Sequence, residues 1–217
     1  MKIDWLAHSC FTLRNQAGSI LLTDPYDEST GYEVPRVRAD VVTSSHKHGD
    51  HAHFEMLEGD YVLFDTPGTH EACGFTVTGI ETKHDDVDGA RRGDNLVFVI
   101  ESEHIRLCHL GDLGHMLTPA QLQAIGHVDI LMVPVGGYYT IDAQGAREVV
   151  RALDPKVVIP MHYKTDACPY PIAPIEAFVE LMRKDEYAIS MYHDSTKDYT
   201  EDGLPKRHTV LVMDHAY

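Results

Sequence analysis

Short runs of apolar residues bounded by turn residues dominate the first part of the chain, and they predict β-strands. Residues 3–13 and 19–23 flank a turn sequence, NQAG, which predicts a hairpin. Further strands are predicted at residues 39–45, 60–65, 75–83, 95–101, 104–110 and 209–213. Residues 128–135 and 156–161 are almost wholly apolar, a pattern typical of strands that are buried on both faces.

Helical patterns fall mostly in the second half of the chain. The sequence TPAQ at residues 118–121 places a capping hydroxyl before a proline and a glutamine, which predicts a helix that runs to about Ile125. Asp142 is predicted to cap a second helix, and apolar residues at helical spacing predict a third at residues 174–184. A further short helix is predicted after His51.

The order of these elements favours a layered α/β fold. Strands come first and strand–helix–strand units follow, which predicts sheets sandwiched between helices. Residues 194–207 are polar and are expected to form a loop. No linker or repeat divides the sequence, so we expect one domain that covers residues 1–217.

Composition and charge narrow the class of protein. A hydrophobic fraction of 43% is typical of a soluble globular chain, and no apolar run approaches the ~20 residues of a membrane span. The formal charge of −16 disfavours nucleic acid as a partner and favours cations. The first residues lack the order of a signal peptide, so we expect a cytoplasmic protein. The four cysteines form no CxxC pair and are expected to be reduced, part-buried thiols.

Polar residues that can bind metal follow several of the predicted strands. Asp24, His46, His84, Asp112 and His162 each come at or just after the end of an apolar run. If these strands share one sheet, their carboxyl ends meet at one edge, where open α/β sheets bind ligands. The sequence therefore predicts a site at which these residues converge.

The segment SSHKHGDH carries the densest set of such groups. His46 and His48 alternate, so an extended backbone points both side chains the same way, and Gly49 then allows a turn into Asp50 and His51 at the start of a helix. One histidine alone is usually a surface or hydrogen-bonded core residue. Four such groups after a buried strand would cost several kcal/mol if they were uncompensated. Imidazole and carboxylate together suit zinc, iron or nickel, and a carboxylate can bridge two ions.

The pattern His46-x-His48-x-Asp50-His51 resembles the HxHxDH signature of the metallo-β-lactamase superfamily. The segments WLAHSCF, ILLTDPY, HLGDLG, PVGGYYTIDA and IPMHY resemble, in order, parts of its UlaG-like branch of metal-dependent hydrolases. This resemblance covers about residues 3–165. It implies an α/β fold, a four-layer αββα sandwich that has mixed sheets and helices on the outer faces.

The resemblance also implies a set of ligands for two metal ions: His46, His48, Asp50, His51, His84, Asp112 and His162. Asp112 would bridge the ions, and Asp50 and Asp112 would be the catalytic carboxylates. The third histidine of the first ion is open. His84 fits the family order, whereas His109 lies three residues before Asp112 and is better placed to support the site.

Further candidates for supporting or substrate-contacting roles are Asp24, His8, His109, Tyr139 and Lys164. Asp24 would brace the site or form a simple turn, and His8 would line the pocket or be an ordinary hydrogen-bonded histidine. Tyr139 or its neighbour Tyr138 would reach substrate or only pack. Lys164 would meet an anionic substrate or lie in solvent. The acidic residues at positions 85, 86 and 88 are expected in a solvated loop.

The implied activity is hydrolysis. Two divalent ions, with zinc favoured and Mn²⁺, Fe²⁺ or Ni²⁺ as alternatives, would generate a metal-bound hydroxide that cleaves a small-molecule ester, lactone or phosphodiester. No GxSxG motif supports a serine hydrolase. A mononuclear-iron oxidoreductase of the same fold and a non-catalytic metal-binding protein are the alternatives, and homo-oligomerisation is compatible with the sequence. Ligand histidines must be neutral, so metal affinity is predicted to fall below about pH 6.

Overall fold

The computed structural model describes all 217 residues. Its strands are β1 (Lys2–Ala7), β2 (Cys10–Arg14), β3 (Ile20–Thr23), β4 (Val41–Thr43), β5 (Val62–Phe64), β6 (Gly68–Ala72), β7 (Phe75–Lys83), β8 (Asp94–Ser102), β9 (Ile105–His109), β10 (Ile130–Pro134), β11 (Val157–Met161), β12 (Ala188–Tyr192), β13 (Thr196–Asp198) and β14 (Thr209–Met213). The α-helices are α1 (Pro119–Ile125), α2 (Ala143–Leu153) and α3 (Glu176–Lys184). Short 3-10 turns lie at Glu28–Thr30, Phe54–Met56 and Glu201–Gly203.

The strands form two mixed sheets. Six strands lie in the order β13-β1-β2-β3-β4-β5, and eight lie in the order β12-β14-β11-β10-β9-β8-β7-β6. Strands β3, β4 and β5 are parallel neighbours in the first sheet, and β9, β10 and β11 are parallel neighbours in the second. Parallel neighbours end at the same edge of a sheet. The segments that follow β3 and β4 therefore begin at one edge of the first sheet, and those that follow β9 and β11 begin at one edge of the second.

The main core lies between the two sheets. Leu21 of β3 and Val41 of β4 belong to a cluster of 46 buried residues that draws on both sheets. The next residue of each strand, Leu22 and Val42, belongs to a second, smaller cluster. Successive side chains of a strand point to opposite faces, so the first sheet is covered on both sides. This packing gives the loops at the strand ends a rigid frame.

The outer layers differ between the two sheets. Helix α2 packs on β10 and on α3, while α1 packs on β7 and α3 on β12. Strands β10 and β11 are buried along their whole length, as their apolar runs predicted. The smaller cluster on the first sheet includes Met56, from the 3-10 turn Phe54–Met56. The predicted α/β sandwich with mixed sheets is confirmed.

Helix boundaries agree closely with the sequence patterns. Thr118 and Gln121 form a reciprocal capping box at the start of α1, and Gly126 follows its last residue. The Asp142 carboxylate accepts a hydrogen bond from the Gly145 amide at 2.9 Å, which caps α2 as predicted. Helix α3 lies within residues 174–184. None of the helices has the length and apolar character needed to cross a bilayer.

Several local predictions are wrong. The predicted strand at residues 3–13 is two strands, because the chain turns at His8, where φ is 53°. The short helix predicted after His51 is present as the 3-10 turn Phe54–Met56, but Asp50 and His51 lie in a turn before it and not at the start of a helix. Strands β6 and β12 were not predicted, since they carry few buried apolar residues.

Strand β13 lies inside the segment that was predicted to be a loop, residues 194–207. It pairs antiparallel with β1 at the edge of the first sheet. All four cysteines are free thiols, and Cys73 is exposed whereas Cys10, Cys108 and Cys168 are buried.

Candidate metal centre

A buried cluster of histidines and aspartates lies where strands of both sheets end. The turn after β4 supplies His46, His48, Asp50 and His51, and single residues follow β7, β9 and β11: His84, Asp112 and His162. His8 joins them from the turn between β1 and β2. The condition considered for the sequence, that these strands share one sheet, is not met. The residues converge because two sheets meet face to face at this edge.

One part of the cluster is a group of three imidazoles. The side-chain nitrogens of His46, His48 and His84 lie within 4.8 Å of one another. The His46 ring centroid is 4.6 Å from that of His48 and 4.7 Å from that of His84. His46 and His84 are buried, whereas His48 is exposed, so this group opens to solvent on one side.

The second part is a group of three imidazoles and one carboxylate. Ligand atoms of His8, Asp50, His51 and His162 also lie within 4.8 Å of one another. Asp50 Oδ2 is 3.4 Å from His8 Nε2 and 3.7 Å from His51 Nε2. The sequence suggested His8 only as a residue that lines the pocket. The structure places it inside this group, with its ring centroid 4.2 Å from that of His162.

Asp112 lies between the two groups. Its Oδ1 is 3.3 Å from His51 Nε2, and its Oδ2 is 3.3 Å from both His84 Nε2 and His162 Nε2. The backbone amide of Asp112 donates to Asn95 Oδ1 at 2.9 Å, which holds the residue in place at the end of β9. One carboxylate thus contacts members of both groups, which is the geometry that a bridging ligand requires.

Many polar atoms of the cluster are buried without any hydrogen-bond partner in the chain. They are both ring nitrogens of His8 and His162, Nε2 of His46 and His51, Nδ1 of His84, and Oδ1 of Asp112. Buried polar groups without partners are costly and rare in folded proteins. Neutral imidazole and carboxylate are the ligands that zinc and related ions take, so the donor set fits a divalent metal centre.

The protonation states of three of the imidazoles suit metal binding. Burial lowers the pKa of His46 to about 3 and that of His8 to about 4, and it also lowers the pKa of His84. These rings are therefore neutral near pH 7 and offer a free lone pair. His51 differs. Burial opposes its charged form, but the carboxylates of Asp112 and Asp50 raise its pKa well above the usual value.

Asp24 braces His51 from outside the cluster. Its fully buried carboxylate accepts hydrogen bonds from the Ser45 amide at 2.8 Å, from Ser45 Oγ at 2.7 Å and from His51 Nδ1 at 2.8 Å. Burial alone would raise the pKa of Asp24, but the hydrogen bond from His51 holds it below its usual value. The bond to Nδ1 leaves His51 Nε2 directed at Asp50 and Asp112.

His84, and not His109, lies in the cluster. His109 Nε2 donates to the Ser9 carbonyl at 2.9 Å, and its Nδ1 accepts from the Gly111 amide at 3.2 Å. Both ring nitrogens are thus used within the chain. His109 holds the backbone of the turn that carries His8, which is a supporting position.

A cavity of about 330 Å³ opens onto the cluster. It is lined by His48, Asp50, His84, Arg92, Asp112, Tyr139 and Tyr170. Tyr139 lines the cavity, as the sequence suggested, whereas its neighbour Tyr138 is 65% exposed. Lys164 is not among the lining residues, because its ammonium group donates to the carbonyls of Cys168 and Tyr170 and holds that loop.

Sequence reasoning missed Arg92 and Tyr170 and misjudged Asp85. Asp85 is buried, not solvated, and its carboxylate accepts four backbone amides of residues 87–92. Those hydrogen bonds shape the loop that carries Arg92. The glycines at positions 89 and 93 were the available signal, since both adopt positive φ in this loop.

Comparison with known proteins gives the family. The family model described as β-lactamase superfamily domain matches residues 2–162. The chain belongs to the metallo-β-lactamase superfamily. The predicted superfamily is therefore confirmed, while its UlaG-like branch stays a prediction.

Proteins described as metal-dependent hydrolases match most of the chain. A UPF0173 metal-dependent hydrolase of Thermoplasma acidophilum is 31% identical over 76% of this chain and 84% of its own. A crystal structure from Thermotoga maritima, described as a proposed zinc-dependent hydrolase of the superfamily, is 42% identical. It has a TM-score of 0.79 and covers 98% of this chain and 97% of its own. Igni18, a metallo hydrolase of Ignicoccus hospitalis, shares the fold with a TM-score of 0.68 at 19% identity, over 92% of this chain and 99% of its own.

Proposed function

We propose that this chain holds two divalent cations side by side and hydrolyses an ester, lactone or phosphodiester bond of a small molecule. Its superfamily and its relatives make it a metal-dependent hydrolase. The number of cations, the nucleophile and the substrate class are the proposed parts. The observation that carries the proposal is the position of Asp112, which contacts both ligand groups.

Two cations account for the buried polar atoms better than one. His46, His48 and His84 supply one set of three donors, and Asp50, His51 and His162, with His8 beside them, supply another. A single cation in either group would leave the nitrogens of the other buried without partners. Nitrogen and carboxylate ligands favour zinc, and Mn²⁺, Fe²⁺ and Ni²⁺ are the alternatives.

A cation pair of this kind, when bound, supplies a water of lowered pKa as nucleophile and stabilises negative charge that develops on oxygen. Asp50 is the less buried of the two central carboxylates and lines the cavity. Burial would raise its pKa, but the neighbouring His51 and His8 lower it, so the carboxylate is ionised. It can therefore accept a hydrogen bond from a water in the cavity and orient that water toward the substrate. Asp112 is almost fully buried and acts by holding the ligand groups together.

Cavity size and charge support a small substrate. A volume of about 330 Å³ is at the lower end for small-molecule sites. The formal charge of −16 repels long polyanions such as RNA. The proposed substrate is therefore a compact ester, lactone or phosphodiester.

Elemental analysis paired with a hydrolysis screen tests the proposal. Protein loaded with zinc or manganese should hold two ions per chain and should cleave at least one member of a panel of lactones, p-nitrophenyl esters and bis-p-nitrophenyl phosphate. Asp112→Ala should lose that turnover. One iron per chain with oxygen uptake would instead favour an oxidoreductase, and full metal loading without any turnover would favour a metal-binding protein.

A further inference from the structure

Arg92 lies at the candidate metal centre without an acidic partner. Its side chain lines the same cavity as His84, Asp50 and Asp112, and it forms no ion pair or side-chain hydrogen bond within the chain. The preceding residue, Arg91, is mostly exposed and lies 3.6 Å from Asp86. The chain has 34 acidic and 18 basic residues, yet this arginine has no acidic partner. Its charge is therefore available to a ligand of opposite charge.

Arg92 sits on a loop that a buried carboxylate holds in one shape. Asp85 accepts hydrogen bonds from the amides of Val87 at 3.0 Å and of Gly89, Arg91 and Arg92 at 2.8 Å each. The four amides surround this buried carboxylate, so the loop is held closed around it.

The same loop fixes Arg92 relative to the metal centre. The amide of His84 donates to the Gly93 carbonyl at 3.0 Å, and the amide of Gly93 donates to the Gly89 carbonyl at 2.9 Å. Gly114 lies against the other side of this loop, and a Cβ added there would be 2.2 Å from the backbone nitrogen of Asp85. His84 and Arg92 are therefore the two ends of one closed and supported loop.

Tyr139 holds the guanidinium group at one wall of the cavity. The central carbon of the Arg92 guanidinium lies 5.4 Å from the centroid of the Tyr139 ring. This cation–π contact uses none of the N–H groups of the guanidinium, so they remain free to donate. A guanidinium group fixed in this way binds a carboxylate or a phosphate through two parallel hydrogen bonds.

We infer that Arg92 binds an oxyanion of the substrate, away from the bond that is cleaved. The inference rests on the proposed hydrolase function and narrows it. The substrate class becomes a small ester or lactone that carries a carboxylate or a phosphate group. The arginine supplies specificity for the charged group, while the cluster around Asp112 is the site of the reaction.

Three esters with one leaving group test the inference: p-nitrophenyl acetate, mono-p-nitrophenyl succinate and p-nitrophenyl 3-phosphonopropionate. The first is neutral, and the others carry a carboxylate or a phosphonate in place of a phosphate. In metal-loaded Arg92→Ala, KM for the favoured anionic ester should rise about 10- to 100-fold, because hydrogen bonds to charged groups are lost. KM for the acetate should change by less than about threefold.

Two further variants separate anion binding from a structural role. Arg92→Lys keeps the charge but not the paired donors, so it should recover only part of the affinity for the anionic ester. Arg91→Ala removes the same charge from the same loop and should leave all three KM values close to those of the unmodified protein. An equal loss on neutral and anionic esters in Arg92→Ala, or no loss, would overturn the inference.

A binding measurement keeps the inference testable if none of the esters is cleaved. Isothermal titration of succinate and of propylphosphonate into metal-loaded protein needs no turnover. Weaker binding to Arg92→Ala, at unchanged metal content and melting temperature, would support the anion site even if the proposed hydrolysis failed. Equal binding to both proteins would refute the anion site even if hydrolysis were found.

Discussion

Replacement of Asp24 by asparagine tests how the chain holds His51 in its binding orientation. Asp24 Oδ2 accepts from both Ser45 Oγ and His51 Nδ1, while Oδ1 accepts from the Ser45 amide. Asp24→Asn keeps the shape of the side chain but replaces one acceptor oxygen with an NH₂ donor. That donor must face either the N–H of His51 or the amide of Ser45, so at least one present hydrogen bond is lost in each orientation.

The size of the effect follows from these contacts. A hydrogen bond to a charged acceptor contributes about 1.5–3 kcal/mol, and Asp24 is fully buried, so water does not replace the lost bonds. We expect the metal-free variant to lose ~2–5 kcal/mol of unfolding free energy. Loss of the bond to Nδ1 also frees the tautomer and ring orientation of His51, which should weaken metal affinity about 10- to 100-fold. Removal of the Asp24 charge also lowers the pKa of His51, so protons compete less with the metal for this ring. Asp112 and Asp50 raise that pKa more than Asp24 does, so this effect offsets only part of the loss of metal affinity.

Competition with a chromophoric chelator measures the metal affinity, and chemical denaturation of the metal-free protein measures stability. Asp40→Asn is the matched control, since Asp40 lies beside the other end of β3, is exposed and accepts from the Ile20 amide at 2.8 Å. It should leave metal affinity unchanged. Zinc affinity of Asp24→Asn within about twofold of the original protein would refute the role assigned to Asp24.

Three other outcomes are expected. The raised pKa of His51 leaves a proton for the metal to displace, so zinc affinity should rise about tenfold per pH unit below that pKa. A flat chelator-competition profile between about pH 5 and 7 would contradict this. His8→Phe should weaken binding of the second zinc about tenfold in titration calorimetry, and an unchanged affinity would show that His8 only packs beside the site. Gly114→Ala, with its Cβ 2.2 Å from the Asp85 nitrogen, should lower both melting temperature and zinc content; unchanged values would be inconsistent with that crowding.

The strand ends were the most informative part of the sequence. Asp24, His46, His84, Asp112 and His162 follow apolar runs, and each of these runs contains a strand in the structure. Local patterns sufficed here, because strand ends are marked by the change from apolar to polar residues. The preference for His84 over His109 agrees with the structure, since both nitrogens of His109 are used by backbone groups.

The parts that escaped prediction depend on contacts between distant segments. His8 enters the second ligand group only because the chain turns between β1 and β2, a turn hidden inside one apolar run. Asp85 resembles a solvated acid in the sequence, yet it organises the loop that carries Arg92. Local periodicity carries no information on which carboxylate closes a loop, because that depends on where the amides of the loop point after folding.

The two-cation assignment can be tested most directly by a crystal structure of the zinc-loaded protein with anomalous scattering at the zinc edge. We predict two anomalous peaks about 3.5–4 Å apart on either side of the Asp112 carboxylate. One should lie beside His46, His48 and His84, and the other beside His51 and His162. A single peak, or peaks away from Asp112, would contradict the account.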